Sequence, residues 1–485
     1  MSLILKKIIF AVGLGLSSAI TCAHDDSFSF NQKTQFTVPE IGSGVGLLDQ
    51  QNEKFIGEKV YREVHRQMPI LNNPWLEDQL FSTFSQILSQ TQLSKPVGLV
   101  VINDNQINAF AVPGGLFALN TGLITSARTM DEVVGVMSHE IAHVTQRHYS
   151  RSQEAFKGQG LLALAGILVG ALVATQSDSN AGAAVMLGSQ AALIDKQLSY
   201  SRNQEREADR IGMQYMYAAG YNPEGMADFF EVMNRATARV SYLPDFWFTH
   251  PLTTERMSEA RLRARQLPKV RQKLDQTDFE ILKQYTAVLS NQRTEQQLKN
   301  MAARNTLPSQ IALAAYYLNS GEYNSAQNAL NAAKQHNTPH NLLTLIQTDI
   351  YLAQNKIDLA LSEIQSIAKV TPENRALNFK LAEVFIRKNM QAEAQATVQR
   401  FIRKNPIDSN AWLLMQQSAN ADKANPLRTV NVLRYRAEVQ YWSGLEDNAI
   451  KSLLHAQRLS KDNLAMSDTI KKRLTEMQKE RQYKL

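Results

Sequence analysis

The chain has 485 residues with 52 Lys+Arg, 45 Asp+Glu, 9 His and a single cysteine, for a formal net charge of +7. Such a length suggests two or three domains at the usual ~100 to 200 residues each, and one cysteine excludes an internal disulfide framework. The basic excess lies in residues 301–485, which hold 24 Lys+Arg against 16 Asp+Glu, spread over helices without clustered aromatic groups, a pattern that argues against nucleic acid and suits solvated helix faces.

At the start, Lys6 and Lys7 precede an apolar run from Ile8 to Ile20, and Thr21-Cys22-Ala23 offers small residues before His24. This reads as a secretory signal peptide cleaved after Ala23, with an uncleaved membrane anchor as the competing reading. Cleavage would leave a mature chain without cysteine, so no metal ligand could be a thiolate. Further on, Val97 to Ile102 and Leu116 to Leu119 form two short β-rich runs about the turn Pro113-Gly114-Gly115. They suit an ordinary hairpin, or an exposed strand able to pair with an extended peptide.

Residues 139 to 143 read His-Glu-Ile-Ala-His. Thr129 and Glu132 form a capping box, and Val133, Val134, Val136, Met137, Ile141 and Val144 predict a largely buried helix independently of the motif. On that helix His139 and His143 lie four residues apart on one face, so both imidazoles can reach one Zn²⁺, with Glu140 beside the open position to take a proton from water. This is the pattern of a metalloprotease. His148, five residues beyond His143, falls roughly 140° around a continued helix and is not expected to be a ligand.

The stretch Leu161 to Thr175 is apolar but has 15 residues, short of the ~20 needed to span a bilayer. It reads as a plain buried helix, with contact to a lipid surface or a mobile flap as alternatives. Next, Ser201 to Asp209 opens with a Ser-x-x-Gln cap and leads into an amphipathic helix ending near Gly220. Catalytic zinc needs a third protein ligand. Glu205 and Asp209 share a face one turn apart, so one carboxylate can bind metal while the other accepts the N–H of a ligating imidazole. Glu207 points about 160° away from Asp209 and reads as solvated charge. Without the upstream motif, this helix start would be an ordinary exposed face.

Phe246-Trp-Phe-Thr-His250-Pro251 then precedes Thr253-x-Glu255-Arg256, and Lys269 to Asn300 looks helical and rich in Gln, Lys and Glu. The remainder is repetitive. Ala326, Ala360 and Ala394 are spaced by 34 residues, as are Pro372 and Pro406, while Ala314, Ala382 and Ala437 stand 12 residues before Ala326, Ala394 and Ala449. Small residues at these offsets let the two helices of a hairpin approach closely, which is the tetratricopeptide (TPR) pattern. The 55 residues from Ala394 to Ala449 imply an irregular or incomplete unit around Asn410 to Leu433, and a closing helix is expected from Met466 to Gln482.

His139-Glu140-x-x-His143 followed by Glu205-x-x-Ala208-Asp209 resembles the gluzincin peptidases that include the CAAX prenyl protease and the heat-shock membrane protease HtpX. Asn108 to Gly115 with Asn120-Thr-Gly122-Leu also matches the family's pattern upstream of the zinc helix. The resemblance implies Glu205 as third zinc ligand and Asp209 as the group orienting His139. The His-Pro segment resembles the family region in which a His on a plug occupies the zinc's free position, which makes His250 a candidate latency ligand; a helix-start His packed by aromatic neighbours is the alternative. Arg256 is a candidate either to stabilise an oxyanion or to pair with Asp209. A leader, no long hydrophobic span and C-terminal repeats resemble the periplasmic, TPR-bearing branch of the family. That branch implies association with the outer-membrane β-barrel assembly machinery, help in assembling outer-membrane proteins and degradation of those that stall.

The expected fold is therefore mainly α: a gluzincin-type zinc metallopeptidase domain with a small β-sheet, followed by an α-solenoid of TPR hairpins. The expected boundaries are a signal peptide at 1–23, an N-terminal extension at 24–48, the peptidase at 49–270, a helical linker at 271–303 and the TPR domain at 304–485. The expected activity is zinc-dependent endopeptidase, one Zn²⁺ per chain, acting on unfolded or stalled outer-membrane proteins, with peripheral membrane contact an open matter. Two other readings stand beside it: a TPR chaperone or scaffold with a rarely used zinc site, and a general periplasmic housekeeping protease.

Overall fold

Short polar side chains set where the helices begin. Asn73 accepts a hydrogen bond from the Leu76 N–H at 3.0 Å, Thr129 from Glu132 at 3.3 Å and Asn374 from Leu377 at 3.0 Å, each satisfying a donor that the first helical turn leaves without a partner. The structure is a computed structural model and describes residues 50–93, 96–112, 114–148, 202–237, 250–270 and 276–482. The expected leader, Cys22, the apolar stretch 161–175, Ser201 and the aromatic run 246–248 lie outside the described residues. Among the described residues, no helix is long and apolar enough to cross a membrane.

The fold is mainly α with one small sheet, as expected. Helices α1 (Gln50–Gln67) and α2 (Pro74–Leu88) lead into strands β1 (Gly98–Ile102), β2 (Ala109–Val112) and β3 (Leu116–Asn120), then α3 (Thr121–Ser126) and α4 (Met130–Thr145). After α5 (Arg202–Ala218), α6 (Glu224–Thr237) and α7 (Thr254–Gln266), helices α8 (Gln276–Leu289) and α9 (Glu295–Ala302) occupy the expected linker. Helix α8 packs on α2 and α3 and also on the first repeat helix, so it bridges the two halves.

The sheet departs from the hairpin expected between Val97–Ile102 and Leu116–Leu119. Those two runs pair in parallel, Gly98 opposite Leu116 through Ile102 opposite Asn120, and the hairpin partner of β3 is β2, with Val112 opposite Leu116. Ala109-Phe-Ala-Val112 does not alternate in sequence, because all four residues are buried, which removes the period-2 signal of a strand. The strand order is β1-β3-β2, and the free edge of β2 turns towards α4.

Four helical hairpins follow: α10 (Leu307–Asn319) with α11 (Tyr323–Lys334), α12 (Asn341–Ala353) with α13 (Ile357–Val370), α14 (Arg375–Arg387) with α15 (Gln391–Lys404), and α17 (Arg428–Trp442) with α18 (Glu446–Leu459). Between the third and fourth stands the lone helix α16 (Ser409–Ala421), which accounts for the irregular spacing, and α19 (Leu464–Gln482) closes the array. Ala314, Ala326, Ala360, Ala382, Ala394, Ala437 and Ala449 are all buried where paired helices touch. In the second hairpin Thr348 takes the matching position, buried, with its hydroxyl donating to the Thr344 carbonyl at 2.7 Å.

The repeats curl back onto the N-terminal half. Ile56, Val60 and Val64 of α1 and Val100, Val112 and Leu116 of the sheet share one apolar core with Val430, Tyr441, Trp442, Leu453, Ile470 and Met477. Within it Arg62, 1% exposed, donates to Glu446 Oε1 at 2.9 Å, and its guanidinium lies 4.4 Å from the Tyr441 ring centre. At the N-terminus of α2, Trp75 packs edge-on against Tyr285 at 5.3 Å. Nearby, Arg375 of α14 donates to Glu77 at 2.9 Å and to both oxygens of Asp408 at 2.6 and 3.0 Å.

Two repeat turns offer a matched test of this docking. Gly321 and Gly444 both hold left-handed φ, 78° and 76°, but a side chain at Gly321 would meet open space, whereas one at Gly444 would overlap the carbonyl of Arg62 on α1. Gly321→Ala should cost about 1 kcal/mol of backbone strain alone. Gly444→Ala should lower the urea midpoint distinctly further, and equal losses for the two would contradict the packing of that turn on α1.

Candidate metal centre

The site forms where α4 and α5 cross. Their backbones approach so closely that a Cβ at Gly212 would stand 2.8 Å from the Ser138 carbonyl and 2.9 Å from the His139 nitrogen, so only glycine fits there. This contact brings the carboxylates of α5 against the imidazoles of α4. His139, Glu140, His143, Glu205, Asp209, His250 and Arg256, all singled out from sequence, are buried together.

His139 Nε2 lies 3.0 Å from His143 Nε2, 3.3 Å from His250 Nδ1 and 3.5 Å from Glu205 Oε2. Glu205 Oε1 is 3.4 Å from His143 Nε2 and 3.1 Å from His250 Nδ1. Ligands bound tetrahedrally at ~2.0 to 2.1 Å sit about 3.3 Å from one another. The separations among His139, His143, Glu205 and His250 are close to that spacing, with the Glu205 carboxylate presenting Oε2 to His139 and Oε1 to His143, and three nitrogens with a carboxylate suit a borderline ion such as zinc.

The surroundings favour positive charge. Burial works against a charged His139, but Asp209, whose Oδ1 is 2.9 Å from Nδ1, and Glu205 outweigh it and hold the imidazole up at about 9. Burial also works to raise the Glu205 and Asp209 carboxyls. His250 and Arg256 overcome it at Glu205, keeping that group well below its ordinary range, and Arg256 does the same at Asp209. Glu140 differs: burial prevails over His250 and His139, and its carboxyl is raised, with His250 Nε2 3.5 Å from Oε1.

Of the two roles open to Arg256, its contacts match the pairing with Asp209. It donates to Asp209 through Nε at 2.7 Å and Nη2 at 2.8 Å, to the Pro251 carbonyl at 2.9 Å, and its Nη1 is 2.8 Å from Glu205 Oε2. His250 stands inside the cluster rather than at a helix start with a packing role alone. The strand β2 packs on α4 next to this centre, and its four residues are buried.

Two side chains have surroundings that the sequence does not indicate. Helix α4 stops at Thr145 and Arg147 takes a left-handed φ of 52°, so the helical wheel no longer applies and His148 swings back beneath the helix. There it is fully buried, Nδ1 2.9 Å from His143 Nδ1 and Nε2 3.1 Å from Glu207 Oε2. Glu207 is thus engaged with His148 rather than being the solvated charge expected. The signal in the sequence is the need for a hydrogen-bond acceptor behind His143, which a ligating imidazole ordinarily has.

A model of peptidase family M48 matches residues 72–264. The chain is 30% identical over 430 residues to the "Beta-barrel assembly-enhancing protease" of Escherichia coli (strain K12), covering 87% of each chain. It is 29% identical over 396 residues to the protein of the same name from Yersinia pestis, covering 79% of this chain and 80% of that one. A shorter match, 29% over 181 residues, joins it to "Metalloprotease LoiP" of Escherichia coli (strain K12), covering 37% of this chain and 68% of the relative.

The helix crossing can be tested without chemistry. Gly212→Val should force α4 and α5 apart and cost several kcal/mol, of the order seen for overpacking with backbone shifts, seen as a lower urea midpoint of the metal-free protein; an unchanged midpoint would contradict the contact.

Proposed function

The chain belongs to the β-barrel assembly-enhancing proteases of peptidase family M48, and from that premise we propose that this metallopeptidase is a zinc endopeptidase that acts in outer-membrane protein assembly. The observation that carries the reading is the set of 3.0 to 3.5 Å separations among His139, His143, Glu205 and His250, the spacing that one tetrahedral ion imposes.

His139, His143 and Glu205 are the proposed permanent ligands. A zinc ion bound to them supplies Lewis acidity, lowering the pKa of water and polarising a carbonyl. Glu140 takes the proton from the attacking water and passes it to the leaving amine; its burial, which raises the carboxyl, favours holding the proton between the two transfers. Asp209, clamped by Arg256, holds His139 with Nε2 turned to the ion. His250 is the proposed latency ligand. It lies against Glu205 and His139 where water and substrate would otherwise enter, and its departure opens the fourth position.

The wider setting follows the relatives' name. The chain is taken as periplasmic, exported by a cleaved leader at 1–23. The peptidase spans 49–270, the linker 271–303 and the TPR module 304–485. The module would present unfolded or partly assembled barrels, promoting their assembly and delivering stalled ones to the cleft. The assembly machinery of the outer membrane is the proposed partner.

Purified protein should carry one zinc per chain and lose proteolysis of an unfolded barrel substrate on chelation. Glu140→Gln should keep the zinc yet cut turnover by roughly 10²-fold or more; full activity would remove Glu140 from its role. His250→Ala should retain zinc and raise basal cleavage, and unchanged or lower cleavage would reject latency.

A further inference from the structure

The two proposed histidine ligands differ in what stands behind them. His139 is backed by the carboxylate of Asp209, whereas His143 Nδ1 faces another imidazole, His148, at 2.9 Å. Behind His148 stands Glu207, 3.1 Å from Nε2, and Gln204 of the same helix donates from Nε2 to the His148 carbonyl at 3.1 Å. A relay therefore runs from α5 through the turn after α4 to the rear of His143. The Arg147 left-handed turn exists at a cost of strain that this placement offsets.

The geometry points to His148 and Glu207 as positioning residues that fix the tautomer and orientation of His143. Among the contacts of the described residues, the proton count along the relay allows one metal-ready arrangement. An ionised Glu207 only accepts, so His148 Nε2 carries a hydrogen and donates to it. A neutral His148 then has a bare Nδ1, which accepts from His143 Nδ1–H. That leaves His143 Nε2 without a hydrogen, its lone pair directed at His139, Glu205 and His250. A hydrogen on His148 Nδ1 instead would make His143 Nδ1 the acceptor and put the His143 hydrogen on Nε2, closing that atom to an ion. His148 is thus a third-row imidazole that binds no metal itself and selects the form of the one that does.

This inference rests on the reading that His143 binds zinc, and the experiment separates the two. The readout is the zinc dissociation constant of the full-length protein, measured by competition with a chromophoric chelator, beside the thermal midpoint of each metal-free protein. Wild type should bind one zinc and His143→Ala should lose tight binding; if His143→Ala binds as wild type does, the ligand reading fails. With that established, His148→Phe keeps a similar shape but offers no acceptor and should bind zinc about 10- to 100-fold more weakly. His148→Asn places a carbonyl oxygen near the old Nδ1 and should restore affinity to near wild type, although both variants alter the packing. Zinc affinity unchanged in His148→Phe, or equally weak in His148→Asn, would overturn the proposal. Should His148→Phe fail to fold, the partly exposed Glu207 decides: Glu207→Ala should bind zinc more weakly than Glu207→Gln, which retains an acceptor, and equal affinities would overturn it.

Discussion

Nitrogen lone pairs and a carboxylate held about 3 Å apart in a dry pocket are compatible only when positive charge lies among them, and the peptidase half is arranged around that constraint. Helices α4 and α5 must cross closely enough to bring the groups together, and Gly212 alone permits it. Arg256 is buried against two carboxylates and adds its charge to that of the imidazoles in offsetting their burial. The small sheet follows the same logic: the buried strand β2 packs on α4 and so supports the helix that carries the proposed base. Each of these features adds little by itself. Together they leave the imidazoles almost no freedom, which is what makes a metal site selective in geometry before any ion arrives.

Much of the site was legible because helical spacing is rigid. His139 with His143, and Glu205 with Asp209, are one-turn pairs whose faces follow from 3.6 residues per turn, and family resemblance added His250 and Arg256 from a loop that periodicity does not reach. The position of His148 was not legible for the opposite reason: the helical wheel does not extend past Thr145, where the chain turns through Arg147. Glu207 was judged by its own helix alone, although its partner comes from a different element. The repeats were readable since buried alanines recur at a fixed offset, and even the lone helix Ser409–Ala421 left its trace as a broken interval. Strand Ala109–Val112 was missed because it is buried on both faces and so lacks alternation. Register between strands depends on distant residues and has no local signal.

What periodicity could not convey is that the two halves are not beads on a string. The face of the sheet turned away from α4, together with α1, is completed by the fourth hairpin and the closing helix, so the repeats supply part of the core on which the peptidase sheet rests. Arg62 marks the closure, a buried cation from α1 stacked on Tyr441 and paired with Glu446. Arg375 makes a second junction at Glu77 and Asp78, between the start of α2 and the third hairpin. Removing 304–485 would uncover apolar surface on the first helix and the sheet, so such a truncation takes away part of the core of the N-terminal half together with the repeats.

Helix Gln50–Gln67 is among the first parts of the described chain to be synthesised, yet its apolar stripe is sealed by Ile470, Leu474 and Met477, more than 400 positions downstream. Until that tail has emerged, the early segment carries an unmatched sticky face, a natural ligand for a holding chaperone and a hazard for self-association. Maturation of the catalytic half is thereby timed to the completion of the whole polypeptide, so that a nascent or prematurely ended chain would lack the scaffold that a competent cutting site requires.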